Sequence, residues 1–293
     1  MSVGSRFAFT LVSSLVAAVF LAGCDVDTPL REIGDAQHLA ADLSVQFSKA
    51  LDASNLAVMA GSDDTSKTYA VEARQRTAAA QKDVDALRII LERRGFTEEL
   101  QLLEEFRQRF NEYKTVEGNI LDLAIENTNL KAQGLLFGAS QEAVDALAKA
   151  LAALQPSDDS KNGWQVKALA ASVLGSAREI QALLAPHIAE ADDAAMARIE
   201  SRMTAAEAAA RRDLAALEAR VRPASVAHLA EAGTALDRVM DVNSQIIRLS
   251  RRNSNVRSVA LSLNQKRTIV AACEEKLQAL RAALSKRGFV GTR

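Results

Sequence analysis

An internal repeat of 126 residues constrains the fold of this 293-residue chain more than any other feature. The segment 120–132, ILDLAIENTNLKA, aligns with the segment 246–258, IIRLSRRNSNVRS. The offset equals eighteen heptads (18 × 7 = 126), so both segments present the same face of a helix. We therefore expect each half of the chain to fold into the same helical unit and to pack against the other half.

Apolar residues recur at spacings of three and four in both halves, which is typical of helices in a bundle. The two stripes take identical steps, and each contains one asparagine: Val116, Ile120, Leu123, Asn127, Leu130, Gly134 and Phe137, then Val242, Ile246, Leu249, Asn253, Val256, Ala260 and Leu263. Glycine, proline and Asp-Asp positions mark the breaks between helices, and Ser62 with Asp63 and Asp64 is a predicted helix start. They predict six helices at roughly 35–60, 66–94, 97–154, 164–187, 192–222 and 225–287.

The predicted fold class is all-α, with two long and four short helices that form two stacked four-helix bundles. At 1.5 Å per residue, the short helices span about 40 Å and the long helices about 85–90 Å. Two short helices therefore fit beside each half of the long pair, so that every level holds four helices. The predicted bundle domain covers 35–290, with repeats at about 35–155 and 164–290.

The start of the chain carries a second informative pattern. It has one basic residue, Arg6, then a mostly apolar run from Phe7 to Leu21, then Ala22-Gly23-Cys24. The run is shorter than a membrane-spanning helix needs. Small residues before a Cys at the end of such a run resemble the lipobox of bacterial lipoprotein precursors.

The lipobox resemblance implies a signal peptide at 1–23, lipidation of Cys24 and a tether at 24–34. It places the mature chain in the periplasm, held to a membrane by lipid. Asp25 resembles the signal for retention in the inner membrane, and the outer membrane is the alternative. An ordinary secretory peptide that happens to end in Cys is the other interpretation of the whole pattern.

The composition argues against several classes of function. The chain has 36 Lys and Arg against 37 Asp and Glu, so nucleic-acid binding is not expected. The three histidines, His38, His187 and His228, stand at no metal-ligand spacing. The sequence has no phosphate loop, haem motif or nucleophile elbow. We expect a protein that is not an enzyme and holds no metal or cofactor.

The two long and four short helices, with the segments Asn127-Thr-Asn129 and Asn253-Ser-Asn255, resemble the helical bimodular and four-helix-bundle periplasmic sensor domains of bacterial chemoreceptors and sensor kinases. The resemblance implies a domain that binds small organic acids and forms a homodimer along the bundle. The transmembrane and signalling parts of those receptors have no counterpart in this sequence. We therefore expect a separate membrane receptor or kinase as partner.

The asparagines of the two stripes are the strongest site candidates. Because the long helices run antiparallel, Asn127 and Asn253 should meet at the junction of the two units. One interpretation is a buried asparagine layer that pairs with itself and fixes the register, so that replacing both by leucine raises stability. The other is the polar floor of an organic-acid site, whose candidate ligand-binding residues are Asn127, Asn129, Lys131, Arg252, Asn253, Asn255 and Arg257.

Three further features concern the bundle core. Phe106, Phe110 and Tyr113 are predicted to form an aromatic core cluster, and Cys273 a small buried hydrophobic position. Arg267 occupies an apolar-stripe position, where it either reaches the surface or lines a cavity.

The function predicted from the sequence is ligand sensing or capture by a lipid-anchored helical bundle, for a chemotaxis or two-component signalling partner. A structural envelope lipoprotein without a small-molecule ligand is the alternative.

Overall fold

The computed structural model describes residues 27–156 and 163–290 of the chain. The described residues are all-α, with 93% helix and no strands, which confirms the all-α part of the prediction. Residues 1–26 lie outside the described residues, so the signal peptide and the lipidation of Cys24 stay predictions. Within the described part, no helix has the length and apolarity needed to cross a membrane.

Six helices follow the predicted order of short, short, long, repeated once, within the described residues. The four short helices are α1 (Asp27–Met59), α2 (Asp63–Arg94), α6 (Gly163–Ala189) and α7 (Asp193–Glu218). The first long helix consists of α3 (Thr97–Glu126), α4 (Thr128–Leu135), a π-helical segment (Leu136–Ser140) and α5 (Gln141–Ala152). The second consists of α8 (Val226–Arg252), α9 (Ser254–Leu261), a π-helical segment (Ser262–Lys266) and α10 (Arg267–Val290).

Local sequence signals explain several helix ends. Ser62 caps α2 as predicted, because its side chain accepts a hydrogen bond from the Thr65 amide. Gly95, with φ 64°, ends α2 in the left-handed conformation that glycine adopts without steric cost. α1 begins at Asp27 rather than at 35, so residues 27–34 of the predicted tether are helical. Glu32, in the second turn of α1, pairs with Arg93 and Arg94 at the end of α2.

The first hydrophobic core is built by α1, α2, α3 and α10. Its centre is the predicted aromatic cluster Phe106, Phe110 and Tyr113, which also includes Phe47 of α1. Cys273 is buried in the same core, as predicted. Burial raises the pKa of this thiol to about 12, so it packs as a neutral apolar group.

The remaining helices share three further hydrophobic clusters, in which α4, α5 and the first π segment contact α6, α7 and α8. Between the long helices, α3 packs on α9 and α4 packs on α8. The two long helices therefore run antiparallel, as predicted. Below, the first unit means α1, α2, α3, α9 and α10 with the second π segment, and the second unit means α4 to α8 with the first π segment.

Both long helices are interrupted at matched positions. Each has one residue in the left-handed conformation, Asn127 (φ 48°) and Asn253 (φ 52°), followed by a π segment at the same offset. Beyond the asparagines the buried face therefore departs from the predicted stripe. Phe137 and Leu263, predicted as apolar-stripe positions, are 78% and 63% exposed.

The same interruption determines which basic residue at the end of the second π segment is buried. Arg267 is exposed, as one of its two predicted alternatives required, and the preceding residue Lys266 is buried, which was not predicted. A π turn spans one more residue between its hydrogen-bonded groups than the α-helical turn that the stripe assumes, so every later position rotates around the helix axis.

Candidate functional site

Asn127 and Asn253 break the two long helices at the junction between the units. Both are nearly fully buried, at 1% and 3% exposure, and both have positive φ. Asparagine is one of the few non-glycine residues that adopts this conformation readily. The asparagines therefore allow a left-handed backbone conformation at the break in each long helix, which the stripe pattern did not reveal.

Each break creates a new helix start, and the partner helix caps it. The amide of Thr128 donates to Ser254 Oγ, and the amide of Ser254 donates to Thr128 Oγ1, both at 3.0 Å. One residue later, the amide of Asn129 donates to Asn255 Oδ1 at 3.1 Å, and the amide of Asn255 donates to Asn129 Oδ1 at 3.2 Å. Free amides at a helix start are normally capped by their own chain segment. Here the two halves of the repeat cap each other reciprocally.

The side-chain amides extend this network. Asn129 Nδ2 donates to Asn253 Oδ1, and Asn255 Nδ2 donates to Asn127 Oδ1, both at 2.9 Å. Asn129 and Asn253 also donate to the carbonyls of Ile188 and Glu190 at the end of α6. The predicted direct pairing of Asn127 with Asn253 is replaced by this crossed pattern. Asn127 Nδ2 is buried and has no hydrogen-bond partner among the described residues.

The basic residues among the site candidates lie around the junction, and two of the three, Arg252 and Lys131, bind oxygen atoms of the same chain. Arg252 binds Glu126 through two hydrogen bonds of 2.6 and 2.5 Å, and these residues are themselves repeat equivalents. This guanidinium is the main cause that lowers the pKa of Glu126. Lys131 donates to the Glu126 carbonyl at 2.7 Å and lies 3.3 Å from the Asp63 carboxylate. Arg257 is exposed.

The structure thus brings the four candidate asparagines into one network, with Arg252 and Lys131 at its edge. Nearly all of their polar atoms bind other atoms of the chain, which leaves few of them for a ligand. The left-handed backbone also argues against the expectation that leucine at both positions raises stability, because a leucine at either position would have a strained backbone conformation. The arrangement is suited to holding two helices together at a fixed angle.

His187 belongs to the same level, although the sequence gave no reason to single it out. Its ring is buried between Ser250 and Glu200, with Nδ1 2.8 Å from Ser250 Oγ and Nε2 2.8 Å from Glu200 Oε1. Arg251 donates to Glu200 at 2.7 Å and is the main cause that lowers the pKa of this carboxyl. This polar cluster fixes α6 and α7 against α8.

A second buried polar cluster lies in the first unit. The side chains of Lys266 and Glu117 are both 4% exposed, and Lys266 Nζ lies 3.2 Å from Glu117 Oε2. Lys266 also donates to Ser54 Oγ at 2.5 Å and to Asn55 Oδ1 at 3.3 Å. Tyr113 donates to Glu117 Oε1 at 3.0 Å. Burial lowers the pKa of Lys266, an effect that the Glu117 carboxylate opposes.

The two π segments each open a groove on the surface. The groove in the first unit has a volume of about 350 Å³ and that in the second unit about 470 Å³. Leu51 and Asn55 of α1 form the other wall of the first, and Arg178, Gln181, Ala182 and Ala185 of α6 form that of the second. Five pairs of lining residues are repeat equivalents: Leu136 and Ser262, Phe137 and Leu263, Gln141 and Arg267, Val144 and Val270, Asp145 and Ala271.

Among the described residues no cluster of His, Cys, Asp or Glu is arranged to hold a metal ion. A comparison with protein-family models finds no match for this chain, and a comparison with curated proteins finds none either. The candidate sites are therefore defined by the structure alone: the junction network, the Lys266–Glu117 pair and the two matched grooves.

Proposed function

We propose that this chain is a lipid-anchored helical-bundle protein outside the cytoplasmic membrane that binds a small organic ligand. The ligand signal would pass to a separate chemotaxis or two-component signalling partner in the membrane. The observation that carries the ligand-binding part is the pair of matched grooves at the π segments. π-helical turns are frequent at functional sites, and the volumes of both grooves suit a small molecule.

The proposal includes an arrangement of two four-helix bundles stacked end to end. Support comes from the separate cores, one shared by α1, α2, α3 and α10 and the other by α5, α6, α7 and α8. The reciprocal caps at the junction would then join the two bundles. Lipidation of Cys24 would hold the first bundle next to the membrane, where a homodimer and a receptor or kinase could form.

The alternative function is an envelope scaffold, and the junction favours it. The network around Asn127 and Asn253 binds its own chain, so the residues first considered for a ligand instead stiffen the joint. A long, stiff helical rod without a ligand would serve as a spacer between other envelope components.

Thermal unfolding with a panel of organic acids separates the two functions. A ligand that binds only the folded state adds RT ln(1 + [L]/Kd) to stability, about 2.7 kcal/mol at a hundredfold excess over Kd. The ligand-binding function predicts a concentration-dependent rise in melting temperature with at least one acid. A flat response to every acid in the panel would favour the scaffold.

A further inference from the structure

The repeat supplies an internal comparison at the helix ends that meet the junction. α1 and α6 end at Met59 and Ala189, which are 130 residues apart (189 − 59 = 130). α2 and α7 begin at Asp63 and Asp193, again 130 residues apart (193 − 63 = 130), while the long helices keep the offset of 126. With these offsets the second unit has four polar residues where the first has apolar ones: His187 for Ala57, Glu200 for Ala70, Ser250 for Ala124 and Arg251 for Ile125.

The apolar set shows that this part of the fold can be built without the polar one. Ala57 and Ala70 belong to a hydrophobic cluster of the first unit on which Ile125 packs, and Ala124 is 1% exposed. Ser66 of α2 donates to the carbonyls of Ala57 and Ala124, at 3.0 and 2.9 Å. In the first unit a hydroxyl therefore binds the carbonyl near the end of α1 without any titratable side chain.

In the second unit the corresponding carbonyl belongs to His187, and the Ser250 hydroxyl has two acceptors within reach. Ser250 Oγ lies 2.8 Å from the His187 carbonyl oxygen and 2.8 Å from the His187 Nδ1. A hydroxyl has one proton, so it donates to one of them at a time. His187 Nε2 faces Glu200 Oε1 at 2.8 Å, and an ionised carboxylate only accepts, so Nε2 carries a proton whether the ring is charged or neutral.

The charge of the ring therefore decides where the Ser250 hydroxyl donates. In the charged ring Nδ1 donates to Ser250 Oγ, so the hydroxyl donates to the His187 carbonyl. In the neutral ring Nδ1 accepts from the hydroxyl, and the carbonyl keeps the longer contact from the Glu190 amide, at 3.4 Å. Loss of one proton thus moves one hydrogen bond from the backbone of α6 to the ring.

The carbonyls that follow His187 hold α6 to the junction network. Asn129 Nδ2 donates to the Ile188 carbonyl at 2.7 Å, and Asn253 Nδ2 donates to the Glu190 carbonyl at 2.8 Å. Asn129 and Asn253 also bind each other at 2.9 Å, next to the reciprocal caps. The turn of α6 that the Ser250 hydroxyl holds or releases is therefore the turn that is bound to the caps.

Charged groups reach this ring from three helices. Glu200 of α7 contacts it directly, and Arg251 of α8 binds both Glu200 and Asp193. Glu190, at the end of α6 itself, accepts from the two amides that follow it. The charged residue of α4, Lys131, is exposed and lies 3.3 Å from a carboxylate of α2. The three carboxylates favour the charged ring, and Arg251 opposes it.

We infer that His187 is a proton-binding site through which pH controls how firmly α6 is held at the junction between the units. At lower pH the charged ring forms an ion pair with Glu200 and leaves the Ser250 hydroxyl on the α6 backbone. At higher pH the ion pair becomes a hydrogen bond of a neutral ring, and the backbone bond is lost. Histidine ordinarily changes charge between about pH 5 and 8. This response to pH is additional to the proposed ligand binding and does not depend on it.

The test follows the ring and the junction together in the full-length chain in detergent, between about pH 5 and 8. NMR of the histidine ring carbons gives the titration midpoint of His187, whose signal is assigned by its loss in His187→Gln. Hydrogen exchange with mass spectrometry, corrected for the intrinsic pH dependence of exchange, gives the protection of the amides of Thr128, Asn129, Ser254 and Asn255. We expect this protection to fall by about threefold, the effect of one net hydrogen bond, at the same midpoint as the ring.

Two variants remove the coupling in different ways. Ser250→Ala keeps the contact between His187 and Glu200, so the ring should still titrate while the protection of the junction amides no longer follows it. The second variant copies the first unit, where Ser66 is the counterpart of Met196 (196 − 66 = 130). It should fold and show no pH response at the junction, and it carries five substitutions: His187→Ala, Met196→Ser, Glu200→Ala, Ser250→Ala and Arg251→Ile.

His228→Gln is the matched control, because His228 is an exposed histidine on the same helix as Ser250, 3.1 Å from Glu231. This variant should keep the wild-type response. The inference is overturned if the protection of the junction amides in the wild type is constant over this pH range, if the His187 ring does not titrate within it, or if Ser250→Ala responds as the wild type does. The organic-acid melting assay is independent of these results, so the proposed function is tested separately.

Discussion

Replacing Asn253 tests the junction, because two different substitutions separate the contribution of its side-chain hydrogen bonds from that of its left-handed backbone conformation. Asn253 has φ 52° and is 3% exposed. Its Oδ1 accepts from Asn129, and its Nδ2 donates to the Glu190 carbonyl. Asn253→Gly keeps the left-handed backbone without strain but loses both hydrogen bonds. Asn253→Leu loses the hydrogen bonds and also strains the backbone.

The expected magnitudes follow from these contacts. Each hydrogen bond contributes about 0.5–1.5 kcal/mol net, so Asn253→Gly should lower the free energy of unfolding by about 1–3 kcal/mol. A left-handed backbone costs a leucine about 1–2 kcal/mol more, which brings Asn253→Leu to about 2–5 kcal/mol. Asn127→Gly should cost only about 0.5–1.5 kcal/mol, because the Nδ2 of Asn127 has no partner within the described part of the chain and only the bond from Asn255 disappears.

Urea unfolding followed by circular dichroism measures these differences. The expected order of stability loss is Asn127→Gly, then Asn253→Gly, then Asn253→Leu. Asn111→Leu is the matched control, since Asn111 is an exposed residue within α3, and its effect should stay within about 0.5 kcal/mol. If the double variant Asn127→Leu with Asn253→Leu is more stable than wild type, the asparagines serve only as a polar register layer, and the reasoning from the left-handed backbone is wrong.

Four further predictions concern other parts of the chain. The hydrogen bond from Arg251 is the main cause that lowers the pKa of Glu200 from its usual 4.5, so the ionised carboxylate stabilises the folded state above that pH. The difference in unfolding free energy between wild type and Glu200→Gln should therefore shrink as the pH falls below 4.5. A difference that stays constant with pH would contradict this. Cys24→Ala should abolish lipid labelling and leave uncleaved precursor; wild-type protein in the soluble periplasmic fraction would count against the anchor. Cys273 should react with thiol reagents only after unfolding, and fast labelling of the native protein would refute its burial. Sedimentation should show a weak homodimer at high protein concentration, and a strict monomer would argue against one.

The sequence predicted the parts of the fold that depend on pattern and capping. The repeat and the three-four spacing predicted the order and approximate ends of the six helices, and Ser62 and the aromatic cluster lie as expected. The breaks within the long helices were not predicted, since a periodicity assumes one constant number of residues per turn. Asn127 and Asn253 were recognised as unusual, but a buried asparagine on a stripe gives no information about φ. The Lys266–Glu117 pair was missed for the same reason, because the π segment moves the cation by one residue.

The interruptions explain how one helix can belong to both units. From the break to the end of the π segment, buried positions recur every four residues, with Ser262 half-buried: Thr128, Ala132, Leu136 and Ser140 in the first long helix, and Ser254, Ser258, Ser262 and Lys266 in the second. A regular α-helix has 3.6 residues per turn, so a spacing of four would rotate these residues away from the core. The wider π turn offsets this rotation at the last step, from Leu136 to Ser140 and from Ser262 to Lys266, and keeps the end of the row directed inward. In the second long helix the row is polar and ends in Lys266, whereas in the first it contains Ala132 and Leu136. The same backbone irregularity therefore supports an apolar core in one unit and the buried Lys266–Glu117 pair in the other.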